Sequence, residues 1–149
     1  MLPPLVFYAF FAICCIYALW RGGGPERFVT LAFMLAALGT ALFNLPASQR
    51  FYSVAIGVFA VDVVLFLALL VIALKADRFW PLLVVSLQAV TILAHLIKFA
   101  DPDLIRRAYS IMAAVWSYPQ LILLVVGTAR HQARLRRDGS DPSWRGSSQ

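Results

Sequence analysis

The chain has 149 residues, of which 62% are hydrophobic and only 13% are charged, whereas about one-quarter of an average soluble domain is charged. A soluble domain of this length could not bury so much apolar surface, so the composition excludes an ordinary water-soluble protein. The net charge of +6 comes from basic residues in connections and in the C-terminal tail, which is typical of a membrane protein rather than of a nucleic-acid-binding protein.

Five apolar segments follow one another, and each approaches the roughly 20 residues that a helix needs to cross a bilayer. The predicted spans are 5–20, 28–45, 51–74, 80–99 and 102–128. The glycines and proline of RGGGPER indicate a turn after the first span, and Asp101 with Pro102 is a typical start for the fifth. The sequence predicts an all-α polytopic bundle over residues 1–137, followed by a polar, disordered tail at 138–149.

The basic residues predict the orientation of this bundle, because cytoplasmic loops carry an excess of Lys and Arg. With five spans, nine basic residues fall on one side and four on the other. The N-terminus is therefore expected outside and the C-terminus in the cytoplasm. The expected contacts of the tail with anionic headgroups at the cytoplasmic face of the bilayer are Arg130, Arg134, Arg136 and Arg137.

The second segment carries a stripe at a spacing of four, in Ala32, Ala36, Thr40 and Asn44, with Gly39 beside it. Small side chains at this spacing allow two helices to approach closely in lipid. The stripe indicates either packing inside the bundle or a surface for self-association.

One carboxylate, Asp62, lies within the apolar run VFAVDVVLFLALL of the third segment. It is about 16 Å below the outer end of its helix at 1.5 Å per residue, and Gln88 and the WSYPQ stretch lie at a similar depth. The predicted intramembrane polar cluster consists of Asp62, Gln88, Thr91, Ser117, Tyr118 and Gln120. Because no Lys or Arg reaches this depth, we expect Asp62 to be protonated and to donate a hydrogen bond to Gln88, Ser117 or Tyr118.

The fourth segment carries a polar stripe from Gln88 to Lys98, at helical spacings of three and four. His95 belongs to this stripe, roughly 10 Å closer to the outer boundary than Asp62 by the same count. We therefore predict a separate outer-face polar group of His95, Lys98 and Asp101, without a direct contact between His95 and Asp62.

Asp62 has three possible roles at this stage. It can hold helices together through hydrogen bonds, it can bind a proton or cation, or it can contact another subunit.

Several catalytic chemistries lack their residues. Within the predicted spans His95 is the single histidine, which excludes bis-histidine haem ligation, and the His and acid spacing of an intramembrane metalloprotease is missing. Serines are present, but no group of residues assembles a nucleophile with its base and oxyanion donors. The sequence predicts a non-enzymatic protein without a metal, a cofactor or a nucleic-acid partner.

The stretches DRFWPLLVVSLQAVTILAHLIKFADP and RAYSIMAAVWSYPQLILL resemble those of small bacterial inner-membrane proteins with no assigned activity. The residues that carry this resemblance are Arg78, Trp80, Pro81, His95, Tyr109, Trp116 and Pro119. It covers about the last half of the chain, and it implies a multi-pass protein of the bacterial inner membrane without implying any catalytic residue.

Two functions fit these observations. The first is a small subunit or accessory factor of a larger membrane assembly, and the second is a proton- or cation-conducting homo-oligomer that uses Asp62 and the Gln88–Lys98 stripe. The first predicts co-purification with a different membrane protein, whereas the second predicts activity of the isolated protein in liposomes.

Overall fold

A computed structural model describes the backbone of residues 4–43, 51–100, 106–142 and 144, and the side chains of residues 5–43, 56–97, 116–142 and 144. These parts of the chain form five α-helices. They are α1 (Pro4–Arg21), α2 (Gly24–Phe43), α3 (Phe51–Lys75), α4 (Trp80–Ala100) and α5 (Arg106–Asp138). The all-α fold predicted from the apolar segments is confirmed; residues 44–45 and 102–105 of the predicted spans lie outside the described residues.

Helix α2 begins earlier than predicted, at Gly24 rather than at residue 28. The sequence PER, which was expected in the turn, forms the first turn of the helix. Pro25 is well suited to this position because its missing N–H would have no partner there, and the carboxylate of Glu26 lies near the positive end of the helix dipole. Only residues 22 and 23 therefore connect α1 to α2.

Helix α5 continues well beyond the apolar segment and ends at Asp138. Its last part is rich in Ala, Arg, Gln and Leu, which are good helix formers even when they do not pack against a core. Gly139 ends the helix with a φ of 71°, and its N–H donates to the carbonyl of Leu135 at 3.1 Å. This is the left-handed helix end that favours glycine.

The helices form a ring in which each helix packs on its neighbours in the chain and α5 also packs on α1. Consecutive helices run antiparallel, as α4 and α5 illustrate. Trp80 at the start of α4 packs on Gly127, while Gln88, further along α4, bonds to Gln120, which precedes Gly127 in α5.

Helices α1 and α5 run parallel where they close the ring. Phe7, near the start of α1, contacts Tyr118 with ring centroids 5.3 Å apart, and the carbonyl of Arg21, at the end of α1, accepts a hydrogen bond from Gln132. The α1–α2 connection, the α3–α4 connection and the C-terminal end of α5 consequently meet at one end of the bundle. We call it the Arg78 end, after a residue of the α3–α4 connection.

Much of the outer surface is apolar. Within the described residues, three helical segments are long and apolar enough to cross a membrane, Gly24–Phe43, Ile56–Lys75 and Trp80–Ile97, and Leu5–Arg21 forms a shorter apolar helix. Large hydrophobic side chains such as Leu35, Val64 and Leu93 are exposed. Exposed apolar surface on this scale is expected where helices contact a lipid bilayer.

The small residues of α2 pack inside the bundle. Ala32 and Ala36 pack against the buried core, and a Cβ atom built on Gly39 would lie 3.1 Å from Val61 Cγ2 of α3. Small side chains bring α2 close to α3 here. The internal-packing interpretation of this stripe therefore agrees with its position.

Gly127 provides the space in which the Trp80 indole packs, and it yields a first prediction. A Cβ on Gly127 would lie 2.6 Å from Trp80 Cε2, and this ring is buried. We expect Gly127→Ala to lower the free energy of unfolding by about 1–3 kcal/mol, because the ring and the two helix backbones must move apart. Unfolding in mixed micelles, followed by circular dichroism, measures the change.

Gly39→Ala is the matched control, because its added methyl group meets only the Val61 side chain and at a longer distance. It should cost clearly less than Gly127→Ala. Equal losses for the two variants would contradict the assigned contact between Trp80 and Gly127.

Candidate functional site

The candidate site is a hydrogen-bonded group in the apolar part of the bundle, centred on Asp62. The Nε2 atom of His95 lies 2.8 Å from Asp62 Oδ2. The amide Nε2 of Gln88 donates to Asp62 Oδ1 at 3.1 Å and to the backbone oxygen of Asp62 at 3.3 Å. Both carboxyl oxygens of Asp62 are therefore engaged by side chains of α4.

Gln120 extends this group to α5, because its Nε2 donates to Gln88 Oε1 at 3.0 Å. The amide hydrogen bonds run in one direction, from Gln120 to Gln88 and from Gln88 to Asp62. Gln88 is thus a donor to the carboxyl group, and the hydrogen bond expected from a protonated Asp62 to Gln88 is not the one observed. The proton shared within the acid–imidazole pair lies on the 2.8 Å contact, carried by Oδ2 or by Nε2 of His95.

The contact between His95 and Asp62 corrects the sequence analysis, which placed His95 in a separate outer-face group. Counting the rise per residue treats each side chain as if it lay at the height of its Cα atom. Side chains of a helix instead tilt toward its N-terminus. Because α3 and α4 are antiparallel, the side chains of Asp62 and His95 tilt toward each other. In addition, Asp62 lies 13 residues before Lys75 and His95 lies 15 residues after Trp80, so the two are at similar distances from the α3–α4 connection.

A cavity of about 330 Å³ lies beside the pair and is bordered by residues from all five helices. Its polar wall includes Asp62, Gln88, Thr91, His95, Ser117 and Gln120, and its apolar wall includes Phe7, Phe11 and Phe33. The His95 side chain is almost fully buried, while the Asp62 side chain keeps 19% of its surface exposed. A cavity of this size is at the lower end of the range for small-ligand pockets, about 300–1,000 Å³.

The remaining members of the predicted cluster take different positions. Thr91 borders the cavity but donates to the carbonyl of Leu87 in its own helix, at 3.3 Å. Ser117 also borders the cavity. The Tyr118 ring packs on Phe7 and Phe10 of α1, so it serves the α1–α5 contact. Asp101 and the Lys98 side chain lie outside the described residues.

A second polar group, the Arg78 cluster, lies at the Arg78 end and consists of Glu26, Arg78, His131, Arg134 and Asp141. Asp141 accepts from all three basic members: Arg78 Nη2 at 2.7 Å, His131 Nδ1 at 2.6 Å and Arg134 Nε at 3.0 Å. These contacts connect the α3–α4 connection, helix α5 and the segment that follows α5. The cluster therefore ties together parts of the chain that are distant in sequence.

Glu26 approaches Arg78 from α2. Its side chain is fully buried, and Oε1 lies 4.0 Å from Arg78 Nε. Within the described part of the chain, neither carboxylate oxygen of Glu26 nor the Nε of Arg78 has a hydrogen-bond partner. The guanidinium of Arg78 is thus the buried positive charge between two carboxylates.

The described part of the tail differs from the disordered segment expected from its polar composition. Besides the contacts of Asp141, the Pro142 carbonyl accepts from Arg78 at 3.4 Å, and Trp144 forms a backbone bridge with Ala76. The Trp144 ring packs edge-on against Phe28, with centroids 5.7 Å apart. Specific ion pairs and one aromatic ring hold this segment. The disorder was predicted from the polar composition, which does not depend on such individual contacts. Residues 143 and 145–149 lie outside the described residues.

The four arginines expected at anionic headgroups separate into two kinds. Arg130 and Arg136 are exposed, and Arg137 is exposed and paired with Asp138 at 3.1 Å. Arg134 is partly buried and belongs to the Arg78 cluster. The exposed members remain suited to a charged surface, whereas the interaction of Arg134 is largely intramolecular.

Sequence reasoning missed Glu26, Arg78, His131 and Asp141 as a group. A signal was available, because alternating spans place the connections that contain Glu26 and Arg78 on the same side as the tail. This signal could not predict the ion pair between Asp141 and Arg78, since the two residues are 63 positions apart in the chain.

The described residues contain no group of three or more His, Cys, Asp and Glu side chains that could hold a metal ion. No family model, curated protein or solved structure matches this chain. The resemblance to small bacterial inner-membrane proteins consequently finds no support in these comparisons.

Proposed function

We propose that this chain is a five-span protein of a bacterial inner membrane, and that it binds and exchanges a proton or small cation at Asp62 and His95. The observation that carries the proposal is the 2.8 Å acid–imidazole pair beside a cavity bordered by all five helices. Ionisable groups at such depth are costly, and they typically mark ion or proton pathways. The proposal assigns binding and exchange, without a catalytic residue or a cofactor.

The closure of the ring supports a membrane position for α1 and α5. Phe7 of α1 and Gln120 of α5 border the same cavity as Asp62, so all five helices surround one polar site. A site of this kind is stable in a bilayer when its polar groups face inward and the helices cover them.

Flux through the purified protein tests this function. The protein, reconstituted in liposomes with an internal pH-sensitive dye, should dissipate an imposed pH gradient faster than empty liposomes when a potassium diffusion potential drives the exchange. The measurement is repeated with a gradient of Na⁺ or of K⁺ in place of the pH gradient. The transported ion is the one whose flux exceeds that of empty liposomes. Rates equal to those of empty liposomes for all three ions would overturn the proposal.

The proposed topology yields a second prediction. Reporter fusions after Lys75 and at the C-terminus should report the cytoplasm, because nine of the thirteen basic residues fall on that side. Fusions after Arg50 and after Asp103 should report the outside. A cytoplasmic signal at Asp103 would contradict the five-span topology.

A role as a subunit of a larger assembly is the second candidate. The supporting observation is an exposed row on α2, formed by Leu31, Leu35, Leu38 and Leu42, whose alternating spacing of four and three matches the contact positions of paired helices. Purification in mild detergent tests it, because a partner membrane protein should remain bound. Substituting the row by Ala should release the partner without unfolding the bundle.

A further inference from the structure

The contacts of Asp141 define a small anion site at the Arg78 end. Three nitrogen donors, from Arg78, His131 and Arg134, lie within 3.0 Å of its two carboxylate oxygens. The Arg78 and His131 side chains are only 3% and 8% exposed. Buried donors that converge on one anion are the usual form of a phosphate or carboxylate site.

The site contains a donor that Asp141 does not use. Arg78 is bound to Asp141 through Nη2, and its buried Nε has no hydrogen-bond partner within the described residues. Glu26 Oε1 lies 4.0 Å from this Nε, which balances the charge but is too far for a hydrogen bond. A phosphate group has more acceptor oxygens than a carboxylate, in a geometry that an arginine fork can bind through two nitrogens.

Asp141 is carried on a segment that can leave without unwinding a helix. Helix α5 ends at Asp138, and Gly139 reverses the chain just before Asp141. The Arg78 contact to the Pro142 carbonyl is long, at 3.4 Å. Releasing this segment would therefore break the Asp141 ion pairs and the Trp144 contacts but leave the five helices intact.

We propose that Arg78, His131 and Arg134 form a binding site for a phosphate group, and that Asp141 occupies this site as an internal competitor. The ligand is a phosphate ester that is either free in solution or carried by an anionic phospholipid. Exposed basic residues around the site, among them Lys75, Arg130 and Arg136, would concentrate such anions at this end of the bundle. The site is separate from Asp62, so it does not depend on the function proposed above.

Phosphate binding to the full-length protein in a neutral detergent tests the site. Inorganic phosphate is titrated by calorimetry at constant ionic strength against the wild type, Asp141→Asn and Asp138→Asn. Asp141→Asn should bind phosphate about tenfold or more tightly than the wild type, because its competing carboxylate is gone. Asp138→Asn, which removes an exposed acid of equal charge, should bind like the wild type, and adding Arg78→Gln to Asp141→Asn should abolish the gain.

Two results of this titration would overturn the proposal. One is an affinity of Asp141→Asn no higher than that of the wild type, and the other is an equal gain in Asp138→Asn, which would show a general charge effect. If Asp141→Asn fails to fold, the wild type supplies the test, because phosphate must then displace the tail and change the emission of Trp144. If phosphate does not change the tryptophan emission of the wild type, or if the same change is seen in Trp144→Phe, the site is also rejected.

Nanodiscs distinguish the two sources of the phosphate group. Asp141→Asn in discs of phosphatidylcholine alone should retain its affinity for inorganic phosphate. If discs that contain phosphatidylglycerol weaken this affinity about tenfold or more, the site takes the lipid headgroup. An unchanged affinity identifies a soluble phosphate as the ligand.

Discussion

Asp62→Asn is expected to abolish ion or proton flux through the reconstituted protein while leaving its folded yield near that of the wild type. The Asn carbonyl can still accept from Gln88, and its NH₂ group can donate to His95 once the imidazole adopts the other tautomer. An amide cannot release a proton or carry the negative charge. Flux should therefore fall by about tenfold or more, to the level of empty liposomes.

Asp62→Leu separates the structural contribution of the carboxyl group from its role in exchange. It leaves His95 and Gln88 without their shared partner, so the free energy of unfolding should fall by about 1–2 kcal/mol. This exceeds the mean of about 0.6 kcal/mol for one intramembrane hydrogen bond, because two partners are affected. Flux and unfolding are measured on the same preparations.

Ser86→Ala is the matched control on α4. Ser86 is exposed and donates to the carbonyl of Leu82 in its own helix, so its loss should change neither flux nor stability. Normal flux in Asp62→Asn would contradict the exchange function, and Asp62 would then serve only to hold α3 and α4 together.

Arg78→Gln should lower the free energy of unfolding more than Gly127→Ala or Asp62→Leu does. It removes the buried positive charge, so the fully buried carboxylate of Glu26 loses its compensation. The Asp141 carboxylate, which is 7% exposed, keeps only His131 and Arg134 as partners. Breaking a buried ion pair by removing one partner costs about 3–5 kcal/mol. Unfolding in mixed micelles should show this loss, and Arg136→Gln, which removes an exposed charge on α5, should show none.

A second substitution checks the cause of this loss. Adding Glu26→Gln to Arg78→Gln should restore part of the stability, because a buried neutral amide costs less than a buried unpaired carboxylate. No recovery in the double variant would indicate that Arg78 acts through packing, not through its charge.

The membrane character and the helical fold follow from the sequence alone. Long apolar runs can satisfy their backbone groups in lipid only as helices. The limits of these runs therefore predict helix limits, and α3 and α4 do start at the predicted residues, Phe51 and Trp80. The cluster of Asp62, Gln88 and Gln120 was also predictable, because the axial rise places all three at one depth. The start of α2 and the end of α5 were missed, because PER and the basic part of α5 are polar and do not continue the apolar pattern, although capping and intrinsic propensity favour a helix in both.

Two contacts were decided by the tertiary structure. His95 reaches Asp62 because the packing of α3 on α4 brings the two residues together and their side chains tilt toward each other. A count of depth along each separate helix includes neither effect. Asp141 reaches Arg78 because the chain reverses at Gly139 and the helix ends meet on one side. The sequence by itself thus determined which segments are helices and which polar residues share a depth, since these depend on local pattern and length. Only packing in three dimensions decided which charged groups pair, because ion pairs depend on the direction of side chains and on residues far apart in the chain.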